Sequence, residues 1–151
     1  MLPCIPPLLI AAMMVPVPPP KALAPVEVAR ALFADHFRHG MGFTKASVER
    51  KAKWLTPDFL AQLNTELARP NNPDEVPNIN GDPFTDSQEY PKKFVVGKGE
   101  IRGGATRIPV IFSGNGRRRT VALKMRNTAE GWRVDDLVYE DGRTLRGLLG
   151  K

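Results

Sequence analysis

The sequence predicts an α+β fold in which N-terminal helices pack in the concave face of a curved antiparallel β-meander, closed by a short C-terminal helix. Three observations predict it. Apolar residues recur at helical spacing between Val26 and Leu67. From Phe94 onward the apolar period becomes two, with glycine-rich breaks between runs. Between these regions, residues 70–93 are rich in Pro, Asn and Asp, which is turn chemistry. Helical runs followed by strand runs, instead of alternating with them, give α+β architecture. A chain of 151 residues fits one such domain.

The helices come first. Val26, Ala29, Phe33 and Phe37 follow helical spacing, and Leu32 widens the stripe. Gly40 and Gly42 end this helix. A second helical stretch opens near Ser47, with Val48, Ala52 and Leu55 on one face. At Thr56-Pro57-Asp58 a helix restarts. Thr56 caps it, Pro57 fits its first turn, and Asp58 complements the N-terminal dipole. Phe59, Leu60, Leu63 and Leu67 form its apolar face, and Pro70 stops it. The 70–93 loop is long for a compact domain, and such loops are often functional.

The strands follow. Phe94 to Arg102 reads as one strand, in which Gly97 and Gly99 mark a bulge or sharp bend. Gly103-Gly104 reads as a hairpin turn. Ile108, Val110 and Phe112 share one face of the next strand. Pro109 falls on the other face and requires an edge or a bulge. Val121, Leu123 and Met125 alternate after the turn at 113–116. Trp132, Val134 and Val138 continue the meander after the turn at 127–131. Asp141-Gly142 closes it, and Leu145, Leu148 and Leu149 form a short terminal helix. A bent meander wrapped around the first helix makes a cone, with a pocket expected between helix and sheet.

The N-terminus has a different composition. Eight of the 15 prolines lie in the first 25 residues. Leu8 to Val15 is continuously apolar, and Cys4 to Val17 carries no charge. That run is shorter than the about 20 apolar residues a bilayer span needs, but suits the hydrophobic region of a secretory signal. Ala22-Leu23-Ala24 supplies a small-x-small cleavage pattern. Residues 1–24 therefore read as a signal-peptide-like, Pro-rich leader, and 25–151 as one α+β cone domain. The expected location is periplasmic or secreted. No basic residue precedes the apolar run, and Pro25 would follow the cut, so an extended Pro-rich arm is the alternative. Cys4 precedes the apolar run, where a lipid-attachment cysteine would follow it. A single cysteine excludes an internal disulfide and any multi-cysteine metal site.

The C-terminal part carries a family resemblance. Its elements are Asp82-Pro-Phe-Thr-Asp-Ser-Gln-Glu89, Phe94-Val-Val-Gly97, Arg107-Ile-Pro-Val-Ile-Phe112, Val121-Ala-Leu-Lys124, Gly131-Trp-Arg-Val-Asp-Asp-Leu-Val138 and Leu145-Arg-Gly-Leu-Leu149. Together they resemble the bacterial domain of unknown function 3828 family, within the nuclear transport factor 2-like (cystatin-like α+β cone) superfamily. The resemblance spans roughly Val26 to Leu149. It implies the cone fold, and export in many members. It implies no particular reaction, since this fold hosts enzymes, binding modules and scaffolds alike.

Candidate site residues fall in a few groups. Asp82, Asp86 and Glu89 crowd one loop with Gln88, either as a polar site at the pocket mouth or as turn-forming side chains. Phe84 beside them would anchor the loop to the core. Asp135 and Asp136 are adjacent on a strand and point to opposite faces, so one could serve as a general base in a desolvated cone. His36 and His39 read as exposed or capping residues. Trp54 and Trp132 read as core or pocket-wall residues. The expected ligand-binding set is thus Trp54, Asp82, Phe84, Asp86, Gln88 and Trp132, with Asp135 and Asp136 as weak catalytic candidates.

Arg117-Arg118-Arg119 occupies a hairpin turn in a chain of net charge +6. Without Lys21 the balance is 21 basic against 16 acidic residues, or +5. No aromatic residues interleave with these arginines, which disfavours nucleic acid; an anionic envelope surface or an acidic protein partner fits the same charge. Nucleophile motifs, phosphate loops and dinucleotide fingerprints are missing, and no cofactor or metal is expected. The sequence favours an exported, non-enzymatic binding module for a small molecule or an envelope or protein partner. The sheet offers a surface for a homodimer. The alternative is an enzyme using an inward aspartate of the cone as general base.

Overall fold

The structure is a computed structural model that describes residues 15–18, 21–102 and 105–150. Cys4, the leader's apolar run up to Met14 and the Gly103-Gly104 turn lie outside the described residues. Helix α1 spans Pro25–Arg38, α2 spans Lys45–Lys51, and α3 spans Pro57–Leu67. A 3-10 turn over Ala52–Trp54 follows α2 directly. The caps are local. The Thr44 hydroxyl accepts the Ser47 N–H at 3.1 Å, and the Thr56 hydroxyl accepts the Phe59 N–H at 3.4 Å. At the start of α1, Glu27 reaches back to accept the Ala24 N–H at 2.7 Å.

Five strands form one antiparallel sheet: β1 (Lys93–Val96), β2 (Glu100–Arg102), β3 (Ala105–Gly114), β4 (Arg117–Thr128) and β5 (Gly131–Tyr139). The order is β1-β3-β4-β5, and β2 also pairs with β3. Helix α4 (Leu145–Leu148) ends the fold. The α+β reading holds: helices precede a curved antiparallel sheet, and a short helix closes it.

The single strand expected over Phe94–Arg102 is instead two short strands along one edge of β3. Val96 pairs with Val110 and Glu100 with Arg107, so Gly97, Lys98 and Gly99 oppose only Ile108 and Pro109. The bulge explains both the glycines and the proline. Pro109 has no N–H to offer, and its carbonyl accepts the Gly97 N–H at 2.7 Å. A Cβ on Gly97 would lie 2.9 Å from Pro109 Cγ. Pro109 is therefore tolerated in an interior strand because the ladder is interrupted there.

The inward face of the sheet buries Ile108, Val110, Phe112, Val121, Leu123, Val134 and Leu137. Against it pack Val28, Ala29, Leu32 and Phe33 of α1, with Phe59 and Leu63 of α3. The pocket expected between α1 and the sheet is filled. The Phe33 ring centroid lies 4.9 Å from Phe112 and 5.9 Å from Phe94, and Phe37 lies 4.9 Å from Phe94. Open space lies elsewhere, at the end of the sheet where the 78–91 loop meets the β3–β4 hairpin.

Phe33→Ala should cost roughly 3–5 kcal/mol, the range for deleting a fully buried aromatic. Ile101, 81 % exposed on β2, should change stability by no more than about 0.5 kcal/mol when replaced by Ala. Urea denaturation followed by circular dichroism separates the two, and equal costs would contradict the core described here.

Candidate functional site

The site is built on a buried hydrogen bond. His36 of α1 donates from Nε2 to the Asp82 carboxylate at 2.7 Å, and both side chains are fully buried. The tautomer is assigned from this bond, because a carboxylate can only accept. Asp82 also accepts the Phe84 N–H at 3.1 Å and the Thr85 hydroxyl at 2.8 Å. Its backbone exchanges two bonds with Ser87, closing a tight turn. Gly81 is required at the entry: its φ is +81°, and a Cβ there would sit 2.4 Å from the Ser87 carbonyl oxygen. Phe84 drives its ring into the core, 5.2 Å from the His36 ring. The Tyr139 hydroxyl donates to the Pro83 carbonyl at 2.9 Å and ties the same turn to β5.

His36 was expected on the surface. It is instead a buried partner of a residue 46 positions away. The clue in the sequence was its place three residues after Phe33 and four after Leu32, on the apolar stripe. His39 does stay partly exposed, 3.0 Å from Asp35.

Beyond this turn a cleft of about 550 Å³ opens. One wall is the 78–91 loop, with Asp82, Asp86, Gln88 and Glu89. The opposite wall is the hairpin with Arg117 and Arg119, and Arg143 and Asp141 close a side. Asn115 pins the hairpin tip to the loop by donating to the Tyr90 carbonyl at 3.1 Å. Asp86 is the distinctive group. It holds a left-handed backbone (φ +51°), uncommon outside glycine and often found at functional sites. Burial pushes its carboxyl above the usual range, although Arg119, 3.6 Å away, and Arg143 pull it back. The cleft thus presents a reluctantly ionised acid beside guanidinium groups. Such a wall can both donate and accept hydrogen bonds.

The other sequence candidates lie away from this cleft. Asp135 and Asp136 do not line it. A β-bulge opposite Lys124 and Met125 disturbs their alternation, and both carboxylates are engaged in structure. Asp135 Oδ1 accepts the Thr56 hydroxyl at 2.7 Å and Arg146 Nη2 at 2.7 Å. Asp136 Oδ1 accepts the backbone N–H groups of Leu137 and Arg146 at 2.8 and 3.0 Å. Burial alone would raise the Asp135 carboxyl, but the Thr56 bond and the nearby Arg146 and Arg126 outweigh it and hold it below the usual range. Trp54 and Trp132 are partly buried against the core, and Lys53 Nζ sits 4.5 Å above the Trp54 ring. Phe84 lies beneath the cleft as its support. The sequence reading did not single out Arg143, Tyr139 or Lys51.

Lys51 is fully buried on α2, with its amine 2.8 Å from the Ser47 hydroxyl and 3.8 Å from Asp35. Burial lowers it from 10.5 to about 8, against the pull of Asp35. Among the described residues, no group of three or more His, Cys, Asp or Glu could hold a metal ion. No helix there is long and apolar enough to cross a membrane. No family model, curated protein or solved structure matches the chain.

Three outcomes follow from this geometry. His36→Leu leaves the Asp82 carboxylate buried without its partner and should cost roughly 3–5 kcal/mol in denaturant unfolding. Lys51 binds its proton less tightly folded than unfolded, so stability should rise as pH climbs from about 8 toward 10.5. Tyr139, whose hydroxyl burial raises well above its ordinary value of about 10, opposes the rise at the top of that window. Lys51→Met should flatten the alkaline rise, and an unchanged profile would contradict the assignment. Asp135, also held below its ordinary value, has the same sign as Lys51 but acts at acid pH. Its contribution is present above the unfolded carboxylate range near 4 and is lost as pH falls through its lower folded value. Asp135→Asn should remove that part of the acid limb.

Proposed function

We propose that this chain is an exported, non-enzymatic binding module of the nuclear transport factor 2-like cone type, and that a small polar ligand occupies the cleft between the 78–91 loop and the β3–β4 hairpin. The observation that carries the reading is the cleft itself. Its volume, about 550 Å³, falls in the range of small-molecule sites, and charged groups of both signs converge on it. Its wall is stiffened by the buried His36–Asp82 bond, so the ligand meets preorganised groups and loses less ordering entropy on binding. Arg119 and Arg117 would hold an anionic group, and Asp86 would accept or donate a hydrogen bond beside it. The binding reading is preferred over a general-base enzyme because Asp135 and Asp136 are committed to Thr56, Arg146 and backbone amides.

The export part rests on the leader's composition and on the resemblance in the C-terminal region. Native mass spectrometry of protein recovered from a bacterial periplasm tests both parts. A mature mass beginning near Pro25 is expected, with a retained small molecule that Arg119→Ala releases. An intact Met1 confined to the cytoplasm would reject export. A periplasmic protein that retains nothing, with Arg119→Ala indistinguishable from wild type in thermal shifts across a metabolite panel, would reject the cleft.

A further inference from the structure

Sequence alone leaves Arg117, Arg118 and Arg119 as three cations at a turn. Strand register separates them and brings in two more. Arg119 pairs with Phe112 on the inward face and reaches Asp86. Arg118 pairs with Ser113, and Ser113 pairs on its other side with Lys93 of β1. Lys93 and Arg118 therefore flank Ser113 on one face of the sheet, two strand spacings or roughly 10 Å apart. Lys92 donates its N–H to the Ser113 carbonyl at 2.9 Å, and its backbone nitrogen is so close to Gly114 that a Cβ there would meet it at 2.6 Å. Arg117 pairs with Gly114.

Lys92, Lys93, Arg117 and Arg118 thus form a rim along one end of the sheet. All four are exposed. None makes an ion pair among the described residues, whereas Arg119 is paired with Asp86 and Arg143 with Asp141. The cleft-lining acids without an ion pair among the described residues are Glu89 and Glu140, whose carboxylate accepts the Thr120 N–H at 2.8 Å. The tip between the cations is Gly114-Asn115-Gly116, with no bulky side chain to hold a flat surface away. Tyr90 is the exposed aromatic beside the rim, and its hydroxyl lies against Gly42, turned from the hairpin. Nothing in the rim stacks a base or reads one.

We infer that this rim docks the protein end-on against an anionic phospholipid bilayer. Unpaired cations at the ends of β1 and β4, a low-profile tip and no recognition groups match a diffuse, planar negative surface. Each cation near such a surface is worth about a fivefold gain in binding, and the effect is screened as the Debye length contracts below ~10 Å above 0.1 M salt. Arg117 borders both this rim and the cleft, whereas Lys92, Lys93 and Arg118 do not line the cleft, so the inference is tested on those three.

Flotation of the full chain with phosphatidylglycerol–phosphatidylcholine vesicles, against phosphatidylcholine alone, tests it. Binding is expected on the anionic vesicles at low salt, lost as salt is raised. The double variants Lys93→Ala with Arg118→Ala, and Lys92→Ala with Lys93→Ala, should each weaken it about thirtyfold, with thermal unfolding unchanged. Because every variant keeps the apolar leader, a leader-driven association would be insensitive to them and equal on both lipids. That outcome overturns the inference, as does absence of binding at low salt. Single-stranded RNA that strips the protein from vesicles at matched charge would overturn it too, by reassigning the rim to nucleic acid.

Discussion

The bond from His36 Nε2 to the Asp82 carboxylate is the contact on which the functional end of this molecule depends. It joins the first helix to a loop that has little regular structure of its own. Both groups are removed from water, and a buried polar group left unpaired costs about 1–3 kcal/mol, more when charged. The carboxylate is therefore satisfied several times over, by His36, by the Thr85 hydroxyl and by the Phe84 amide. Once Asp82 is fixed, its backbone bonds to Ser87 fix the turn, and the turn carries Phe84 into the core on one side and Asp86 toward the cleft on the other. The left-handed conformation of Asp86 persists because the residues on both sides of it are held.

A second division of labour concerns the acids. Carboxylates on β5 bind structure together: Asp135 joins the start of α3, through Thr56, to the last helix, through Arg146. Arg146 also donates from Nε to the Asp135 carbonyl at 2.6 Å and from Nη1 to Gln62 at 3.0 Å. Side chains so committed are poor general bases, because moving a proton would break the contacts that place them. Asp86 makes only one loose ion pair among the described residues, with Arg119, and lines the cleft. The acid suited to meeting a ligand is thus on the loop, and the acids suited to holding the fold are on the strand.

What the sequence disclosed follows from the range of each signal. Local signals were legible. Thr56-Pro57-Asp58 begins α3 as its capping chemistry dictates, and Gly97, Gly99 and Pro109 mark the bulge where strand pairing is interrupted. The helical stripe was legible too, but not its chemistry: His36 lies on that stripe, and its partner lies across the whole helical region in a loop. The Asp82 element was visible as a cluster of turn residues, while the fact that its first aspartate is buried and its second faces the cleft depends on tertiary contacts. Asp135 and Asp136 misled because strict alternation assigns adjacent strand residues to opposite faces, and a bulge at that point suspends the rule. The filled space between α1 and the sheet was invisible for a simpler reason. Phe33, Phe37 and Phe112 each read as apolar-face residues and Phe94 as the start of a strand, but whether the four rings leave a hole or close it depends on packing geometry.

Filling the space between α1 and the sheet has a structural consequence for everything beyond it. With aromatic side chains occupying the space under the sheet, a site needs to be built where the sheet runs out of core. That happens at the β3–β4 hairpin, where the inward row of β4 changes from Val121 to Arg119 and Arg117. The same period of two that buries Val121, Leu123 and Met125 turns Arg119 toward Asp86 and sends Arg118 to the opposite face beside Lys93. A one-residue slip of the β3–β4 register would exchange these faces, placing Arg118 against the acidic loop and turning Arg119 away from Asp86. Asn115 opposes such a slip: its left-handed backbone (φ +55°) shapes the tight turn, and its side chain ties that turn to Tyr90. One hairpin register thus sets both the cations that line the cleft and the cation that faces outward beside Lys93, so the two surfaces are coupled by geometry.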